Sequence, residues 1–292
     1  MAFDSVKEIL DRCKEENLTF YQVVMEDTCN ETGDSKGQNI ARMARMWQVM
    51  KEASSQYDET LRSRSTLAGG AGGLMEAYAK SHNSYCGEFM LTVIGEALKM
   101  GEANACMQRI VASPTAGSCG VMPGVYIAAQ EKHHFSDEEI VESMFVAAGI
   151  GQVIAKRAFI AGATGGCQAE IGSAAAMTAA GLVALKKGSP EQIANAAAMA
   201  LKNMLGLVCD PVAGLVEIPC IKRNVAGAAN AVTCAEMALA GITSAIPIDQ
   251  VIDAMREVGE NMSPMYKETA CGGCANTPKG LEVAAAMGEE GV

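Results

Sequence analysis

Aromatic residues, histidine and positive charge are all scarce in this sequence. Phenylalanine, tryptophan and tyrosine make up 4% of its 292 residues while 49% are hydrophobic, so the core must be built from smaller aliphatic side chains with many glycines between them. The formal net charge of −11 argues against a nucleic-acid partner, because phosphates are bound by clustered lysines and arginines. The three histidines, His82, His133 and His134, are expected at the surface, so we do not expect a histidine of this chain to be a catalytic base.

A long hydrophobic run is also missing. Residues 171–185 form the most apolar stretch, which is shorter than the roughly 20 residues of a membrane span and is bounded by Glu170 and Lys186. We predict a buried core helix there and no membrane partner. The first sixteen residues mix acidic and basic side chains without an apolar core, so no secretory signal is predicted and a cytoplasmic protein is expected. Its eleven cysteines are then expected to remain free thiols that serve packing, metal binding or catalysis.

The spacing of apolar residues predicts an all-α fold. Apolar positions three and four residues apart recur through most of the chain, whereas alternating strand-like runs are scarce. We expect a single helical domain over residues 1–292, with residues 1–66 as an N-terminal helical extension. Predicted helices cover residues 5–15, 38–57, 88–100, 120–132, 140–159, 169–187, 189–205, 222–240 and 248–260.

Local signals mark some helix boundaries. A capping box, in which the first residue and the residue three positions later bond to each other's backbone, is predicted at Ser136 with Glu139 and at Ser189 with Gln192. Residues 66–74, with the sequence TLAGGAGGL, are predicted to be a flexible stretch between helices. This stretch is also where the N-terminal part could hinge against the rest.

Three interruptions of the helical pattern combine glycine or proline with polar side chains. Glycine permits positive φ and close backbone approach, and free N–H groups at the helix starts that follow can hold an anion or the sulfides of a cluster. We therefore expect these Gly-rich loops to converge on a buried polar site enclosed by apolar helices. The interruptions are residues 113–120 (SPTAGSCG), 162–170 (GATGGCQAE) and 209–220 (CDPVAGLVEIPC).

Three cysteines of these segments, Cys167, Cys209 and Cys220, are candidate metal ligands. Iron–sulfur clusters bind cysteine thiolates, and a cubane with three protein thiolates leaves one iron free to act as a Lewis acid. Zinc is the competing metal, although structural zinc sites usually draw their ligands from close pairs, which these cysteines do not form. Spacing alone leaves packing, zinc and an iron–sulfur cluster open.

At these segments the chain resembles the catalytic alpha part of the bacterial iron–sulfur L-serine dehydratases. The resemblance spans nearly the whole chain and is densest at residues 113–124, 162–177, 210–224 and 266–273. It implies a helical catalytic domain that converts L-serine to pyruvate and ammonia without pyridoxal phosphate. It also implies a [4Fe–4S] cluster held by the matching cysteines at positions 167, 209 and 220, whose open iron acts as the Lewis acid.

The sequence differs from the family pattern in two features, neither of which involves the three candidate ligand cysteines. Fused family members carry a further domain with a Ser-Ser-His-Thr segment at the active site, which this sequence lacks, so the resemblance implies a separate beta subunit and a heterodimer. Fused members also end in a cysteine that can occupy the fourth iron, whereas this sequence ends in Gly291 and Val292. Cys271 and Cys274, in the family's ET-x-x-GG element, are candidates for that fourth ligand, for a redox pair or for no role.

Other side chains are candidates for substrate binding and catalysis. Ser113, Thr115 and Ser118 would hold the substrate, by the family resemblance and their Gly/Pro setting. Lys222 and Arg223 could bind the substrate carboxylate, though a solvated helix start explains them almost equally well. The catalytic base is not identified, and its candidates are Lys222, Ser113 and Ser118. For the remaining cysteines packing is expected, and they are Cys13, Cys29, Cys86, Cys106, Cys119 and Cys234.

Two other functions compete with a serine dehydratase. An open iron would coordinate a thiol at least as readily as a hydroxyl, so an L-cysteine desulfidase is one alternative. A non-catalytic helical scaffold that binds zinc through Cys271 and Cys274 is the other. A pyridoxal phosphate enzyme is disfavoured, because such enzymes need a lysine beside a phosphate-binding turn and none of the Gly-rich segments contains one.

Overall fold

A computed structural model describes residues 3–81 and 84–289 of the chain, so His82 lies outside the described residues. Within these ranges the regular structure is entirely helical, and the one β-type pairing is an isolated bridge between Cys209 and Lys267. The predicted all-α fold is confirmed. Among the described helices, none combines the length and apolar character that a membrane crossing requires.

The described helices are α1 (Val6–Glu15), α2 (Phe20–Thr32), α3 (Lys36–Ser55), α4 (Ala71–Ala79), α5 (Glu88–Ala105), α6 (Val121–His133), α7 (Asp137–Arg157), α8 (Gly162–Gly165), α9 (Ser173–Leu185), α10 (Pro190–Lys202), α11 (Cys220–Leu239), α12 (Ile248–Asn261) and α13 (Pro278–Glu289).

Both predicted capping boxes are present. The hydroxyl of Ser136 accepts the Glu139 amide at 3.2 Å while the Glu139 carboxylate accepts the Ser136 amide at 3.0 Å. Ser189 and Gln192 exchange the same two bonds at the start of α10. Because these caps satisfy N–H groups that have no partner within the helix, they fix where α7 and α10 begin.

The prediction of a flexible stretch over residues 66–74 is wrong in its second half, because α4 begins at Ala71. Gly70 precedes the helix and offers no capping side chain. The buried carboxylate of Glu102 takes that role, since it accepts the amides of Gly69, Ala71 and Gly72 at 3.1, 2.9 and 3.1 Å. A cap supplied by another helix leaves no local signal in the sequence. Sequence patterns also do not predict three further helices, α2, α8 and α13.

Helix α9 lies at the centre of the packing and contacts α6, α7, α10 and α11. Most of its residues are buried, which confirms the predicted core helix in this apolar stretch. The N-terminal residues Val6, Ile9 and Phe20 belong to the same hydrophobic core as α7 and α9.

Small residues replace aromatics at the helix crossings. At the contact of α5 with α6, a Cβ on Gly124 would lie 2.9 Å from the backbone nitrogen of Ala97 and 3.0 Å from its Cβ. Backbone atoms cannot move aside as a flexible side chain can, so the two helices require glycine at this position. Close helix contact of this kind is how a core with few aromatic side chains reaches full packing density.

We predict that Gly124→Ala lowers the free energy of unfolding by about 1–3 kcal/mol, the usual cost of inserting a methyl group into a packed contact. The matched control is Gly37→Ala on α3, where an added Cβ meets nothing within 4 Å. That control should leave stability unchanged or raise it by up to about 1 kcal/mol, since alanine favours helix. Urea unfolding followed by circular dichroism measures both, and equal stabilities for the two variants would contradict the close α5–α6 contact.

Candidate functional site

Two of the three Gly-rich segments that carry candidate ligands meet in space. The sulfur atoms of Cys167 and Cys209 and a carboxylate oxygen of Glu170 all lie within 4.8 Å of one another. Both cysteines are 2% exposed, and they pack with Val121, the first residue of α6. Two thiols and a carboxylate therefore lie close together inside a largely apolar surrounding. We call these three residues, Cys167, Glu170 and Cys209, the donor group.

A break in the helical pattern places Cys167 and Glu170. The short helix α8 is followed by Gly166, whose φ of +77° favours glycine and where a Cβ would lie 2.9 Å from the carbonyl oxygen of Leu207. After Cys167 the chain forms a π-helical turn, Gln168–Gly172, which leads directly into α9. Such π-helical turns occur frequently at functional sites, and Glu170 lies within this one.

The backbone around Cys209 pairs with a segment near the end of the chain. The Cys209 amide donates to the carbonyl oxygen of Tyr266 at 2.8 Å, and the Glu268 amide donates to the carbonyl oxygen of Cys209 at 2.9 Å. Glu268 and Ala270 have φ values of +63° and +54°, which are costly for residues with a side chain. The pairing with Cys209 helps to hold this strained segment beside the site.

Cys220 is the first residue of α11, a helix of 20 residues. The positive end of a helix dipole favours a thiolate at this position. Burial nevertheless raises the pKa of Cys220 to about 12, and the charges of Cys167 and Glu170 add to the effect. Cys220 does not belong to the group of donors within 4.8 Å, but its thiol lies within electrostatic reach of them.

The surroundings of Cys209 keep its thiol protonated. The pKa of Cys209 lies far above its usual value, because it shares a hydrogen bond with Cys167, is buried and feels the charge of the Cys167 thiolate. A bound cation reverses this balance, because thiolates are its ligands and its charge compensates theirs. The chemistry of this donor set fits a metal ion or cluster that prefers sulfur.

The hydroxyl groups of the first Gly-rich segment line the carboxylate side of the site. Thr115 donates its hydroxyl to Oε1 of Glu170 at 2.6 Å, and the hydroxyl oxygens of Thr115 and Ser118 lie 3.1 Å apart. Ser113 is buried, with its Oγ 3.4 Å from Sδ of Met122. Thr115 is therefore bonded directly to Glu170, and Ser118 contacts Thr115. Ser113 lies in the same loop.

Asn224 joins the first segment to the third. Its Nδ2 donates to the carbonyl oxygens of Gly117 at 2.8 Å and Cys220 at 3.0 Å, and its Oδ1 accepts the Gly120 amide at 2.8 Å. The side chain is 1% exposed and uses its donors and its acceptor fully within the protein. This one side chain therefore bridges the hydroxyl loop and Cys220.

The two predicted cations next to Cys220 have different surroundings. The guanidinium of Arg223 forms an ion pair with Asp210 at 2.7 Å and donates to the carbonyl oxygen of Val208 at 2.8 Å. Oδ2 of Asp210 also accepts the Cys274 amide at 2.6 Å. Lys222 is exposed. Arg223 thus has a structural partner already, and of the two cations Lys222 is the one that faces solvent.

Comparison with known proteins identifies the family of this chain. The family model described as Serine dehydratase alpha chain matches residues 15–275. The chain belongs to the serine dehydratase alpha chain family. It is 45% identical over 281 residues to the probable L-serine dehydratase alpha chain of Bacillus subtilis, covering 96% of this chain and 94% of that one. It is 40% identical over 281 residues to the L-serine dehydratase alpha chain of Peptoniphilus asaccharolyticus, covering 96% of each.

A longer relative shows that the alpha-chain region can be part of a larger polypeptide. The chain is 37% identical over 284 residues to the L-serine dehydratase TdcG of Escherichia coli, and the match covers 94% of this chain but 61% of TdcG. TdcG therefore contains a substantial region with no counterpart in this alpha chain. The family resemblance inferred from the four sequence motifs is confirmed.

The remaining cysteines of this alpha chain differ in their exposure to solvent. Cys271 and Cys274 are exposed and, among the described residues, neither belongs to the donor group around Cys167. Three cysteines for which packing is expected are buried, namely Cys13, Cys119 and Cys234. The same expectation is wrong for Cys86, which is exposed because it lies in the irregular segment before α5. Cys29 and Cys106 are half-buried.

Sequence reasoning missed three polar residues of the site, namely Glu170, Asp210 and Asn224. Both acids lie inside the Gly-rich segments. Glu170 is three positions after Cys167, and Asp210 directly follows Cys209. Asn224 follows the third segment within α11, where an asparagine ordinarily lies on a solvent-facing side. The signal that could have found the two acids is their position in otherwise apolar, Gly-rich segments, where a carboxylate is costly unless it has a partner.

We predict that a thiol reagent such as 5,5′-dithiobis(2-nitrobenzoate) reacts rapidly with Cys86, Cys271 and Cys274 in the native protein, because these thiols are exposed. All eleven cysteines should react after unfolding. Cys86→Ser should remove one rapid equivalent, whereas Cys119→Ser, at a buried position, should remove none. Peptide mapping that finds Cys167 or Cys209 among the rapidly labelled thiols would contradict the enclosed site.

Proposed function

We propose that this chain is the catalytic subunit of an iron–sulfur L-serine dehydratase, which converts L-serine to pyruvate and ammonia without pyridoxal phosphate. The observation that carries the proposal is the meeting of two buried thiols with Glu170, beside Cys220, in a chain that aligns along its length with proteins named L-serine dehydratase alpha chain. The reaction must remove a Cα proton of low acidity and release hydroxide, which is a poor leaving group. Both demands call for a strong electrophile and a placed base.

We infer that Cys167, Cys209 and Cys220 would hold a [4Fe–4S] cluster. Two features support this inference: all three thiols are buried, and Cys220 begins a long helix whose dipole favours thiolate. When bound, a cubane with three protein thiolates supplies an iron with a free position, which acts as a Lewis acid on the substrate hydroxyl. A closed four-cysteine zinc site has less support, because Cys271 and Cys274 lie outside the donor group.

The chain's own polar groups would bind and orient the substrate. The hydroxyls of Ser113, Thr115 and Ser118 offer hydrogen bonds for the carboxylate and ammonium groups of L-serine, and Thr115 is already oriented by its bond to Glu170. Lys222 is the more available cation for the substrate carboxylate, because Arg223 is paired with Asp210. Burial of Cys167 and Cys209 keeps water away from the sulfur side of the site.

The described part of the chain offers no histidine base at this site. His133 ends α6 while Val121, which packs against the site cysteines, begins it. A helix of 13 residues places its ends about 18 Å apart, so neither His133 nor the neighbouring His134 reaches the thiols. We propose that a separate beta subunit supplies the base that removes the Cα proton. The additional region of TdcG and the name alpha chain carried by the shorter relatives support this division.

We predict that protein purified without oxygen contains about four irons and four acid-labile sulfides per chain, the content of one cubane cluster. Cys167→Ala, Cys209→Ala and Cys220→Ala should each lose the visible absorbance of the cluster together with activity, because each removes a ligand. Iron and sulfide analysis together with the absorbance spectrum measures both effects.

The matched controls for the cysteine variants are Cys13→Ala and Cys234→Ala, which trim buried thiols away from the site and should keep the cluster. Full cluster absorbance in one of the three site variants would remove that residue from the ligand set. Stoichiometric zinc without sulfide in the wild-type protein would favour the zinc scaffold instead.

We predict that the isolated chain with a complete cluster forms at most traces of pyruvate from L-serine and gains activity when the beta subunit is added. Loss of one catalytic acid or base typically costs about 10²–10⁴ in rate, so an assay without the partner should fall by that factor. An anaerobic pyruvate assay measures the difference. Full turnover by the chain alone would contradict the two-subunit division, and faster turnover of L-cysteine than of L-serine would favour the desulfidase.

A further inference from the structure

Glu170 is the one residue of the donor group that is not a cysteine. One of its carboxylate oxygens lies within 4.8 Å of both the Cys167 and the Cys209 sulfur. Carboxylate oxygens are ordinary ligands of iron and zinc in proteins, and a site that mixes thiolate and carboxylate is chemically reasonable. Glu170 therefore has both the position and the chemistry of a ligand.

Two glycines leave space for this carboxylate. A Cβ on Gly117 would lie 2.9 Å from Oε1 of Glu170, and a Cβ on Gly162 would lie 2.7 Å from Oε2. The same Cβ on Gly162 would also lie 2.8 Å from the sulfur of Cys209. Oε2 and the Cys209 sulfur therefore border one small volume that exists because residue 162 has no side chain.

The two oxygens of Glu170 have different surroundings. Oε1 accepts the hydroxyl of Thr115 at 2.6 Å, which fixes the carboxylate plane. Oε2 is the oxygen that borders the space shared with Cys209. Among the described ion pairs none includes Glu170, and the nearby guanidinium of Arg223 is paired with Asp210.

These observations point to a cation as the missing partner of Glu170. We propose that Glu170 is the fourth protein ligand of the metal centre and that its Oε2 binds the iron without a cysteine when no substrate is present. This inference rests on the proposed cluster. It assigns the fourth position to a carboxylate rather than to Cys271 or Cys274, which are exposed and lie outside the donor group. A carboxylate is also a harder and more readily exchanged ligand than a thiolate, which suits an iron that must accept a substrate hydroxyl.

The first test measures how firmly the fourth iron is held in the full-length chain with its cluster. Limited anaerobic oxidation with ferricyanide converts a [4Fe–4S] cluster to a [3Fe–4S] cluster by loss of the iron without a cysteine, and electron paramagnetic resonance detects the product. We expect Glu170→Gln to lose this iron about tenfold or more faster than wild type, within the range by which loss of a group supporting a metal lowers affinity. Glu170→Asp, which keeps a carboxylate, should fall between the two.

Two control variants separate ligation from a structural role. Thr115→Val removes the hydroxyl that orients Glu170 but keeps the carboxylate, and Glu268→Gln removes a nearby charge outside the donor group. Both should lose iron at rates closer to wild type than to Glu170→Gln. A rate for Glu170→Gln equal to wild type would overturn the proposal, and so would an equal acceleration in Thr115→Val and Glu170→Gln.

A second measurement needs no substitution at Glu170. Wild-type protein labelled with ¹³C at the glutamate side-chain carboxyl should show a ¹³C hyperfine coupling to its reduced, paramagnetic cluster by electron–nuclear double resonance. The coupling should disappear in labelled Glu170→Asp protein, and its absence from wild type would overturn the proposal. A wild-type chain that assembles no cluster at all would instead refute the proposed function, so the two failures are distinguishable.

Discussion

The arrangement of the site depends on one electrostatic constraint: two thiols and a carboxylate lie together in a largely apolar interior, where several negative charges are costly to bury. The guanidinium of Arg223 is shared between Asp210 and Cys167, so it does not balance the charge of all three donors. Surrounding bonds hold the donors in place in spite of it, including the backbone pairing at Cys209 and the bond from Thr115 to Glu170. A preorganised donor set with unmet charge is the condition under which a cation binds tightly.

Close helix packing makes this preorganisation possible. The thiols are buried because α6, α9 and α11 approach one another through alanine and glycine, as at Gly227, where a Cβ would lie 2.8 Å from the Ile171 side chain. The loops that carry the donors are then enclosed by rigid helices rather than by mobile side chains. The scarcity of aromatic residues is therefore part of how the fold positions its site.

The site thiols and the described histidines lie far apart. The site thiols, the carboxylate and the hydroxyl loop gather at one end of α6, while His133 and His134 lie at the other end. An elimination needs an electrophile for the leaving oxygen and a base for the Cα proton. Among the described residues no histidine lies beside the thiols, which is the physical reason for expecting a partner subunit in the complete enzyme.

The helical class, both capping boxes and the segments that carry the donors can be predicted from the amino-acid sequence, because helix periodicity, capping and glycine-rich breaks are local properties of a chain. Three contacts emerge only when the helices are packed: Glu170 joins Cys167 and Cys209, Arg223 pairs with Asp210, and Glu102 caps α4. The partners in the last two contacts are 13 and roughly thirty positions apart along the chain. Contacts of this kind follow from how helices pack, and local patterns carry no record of them.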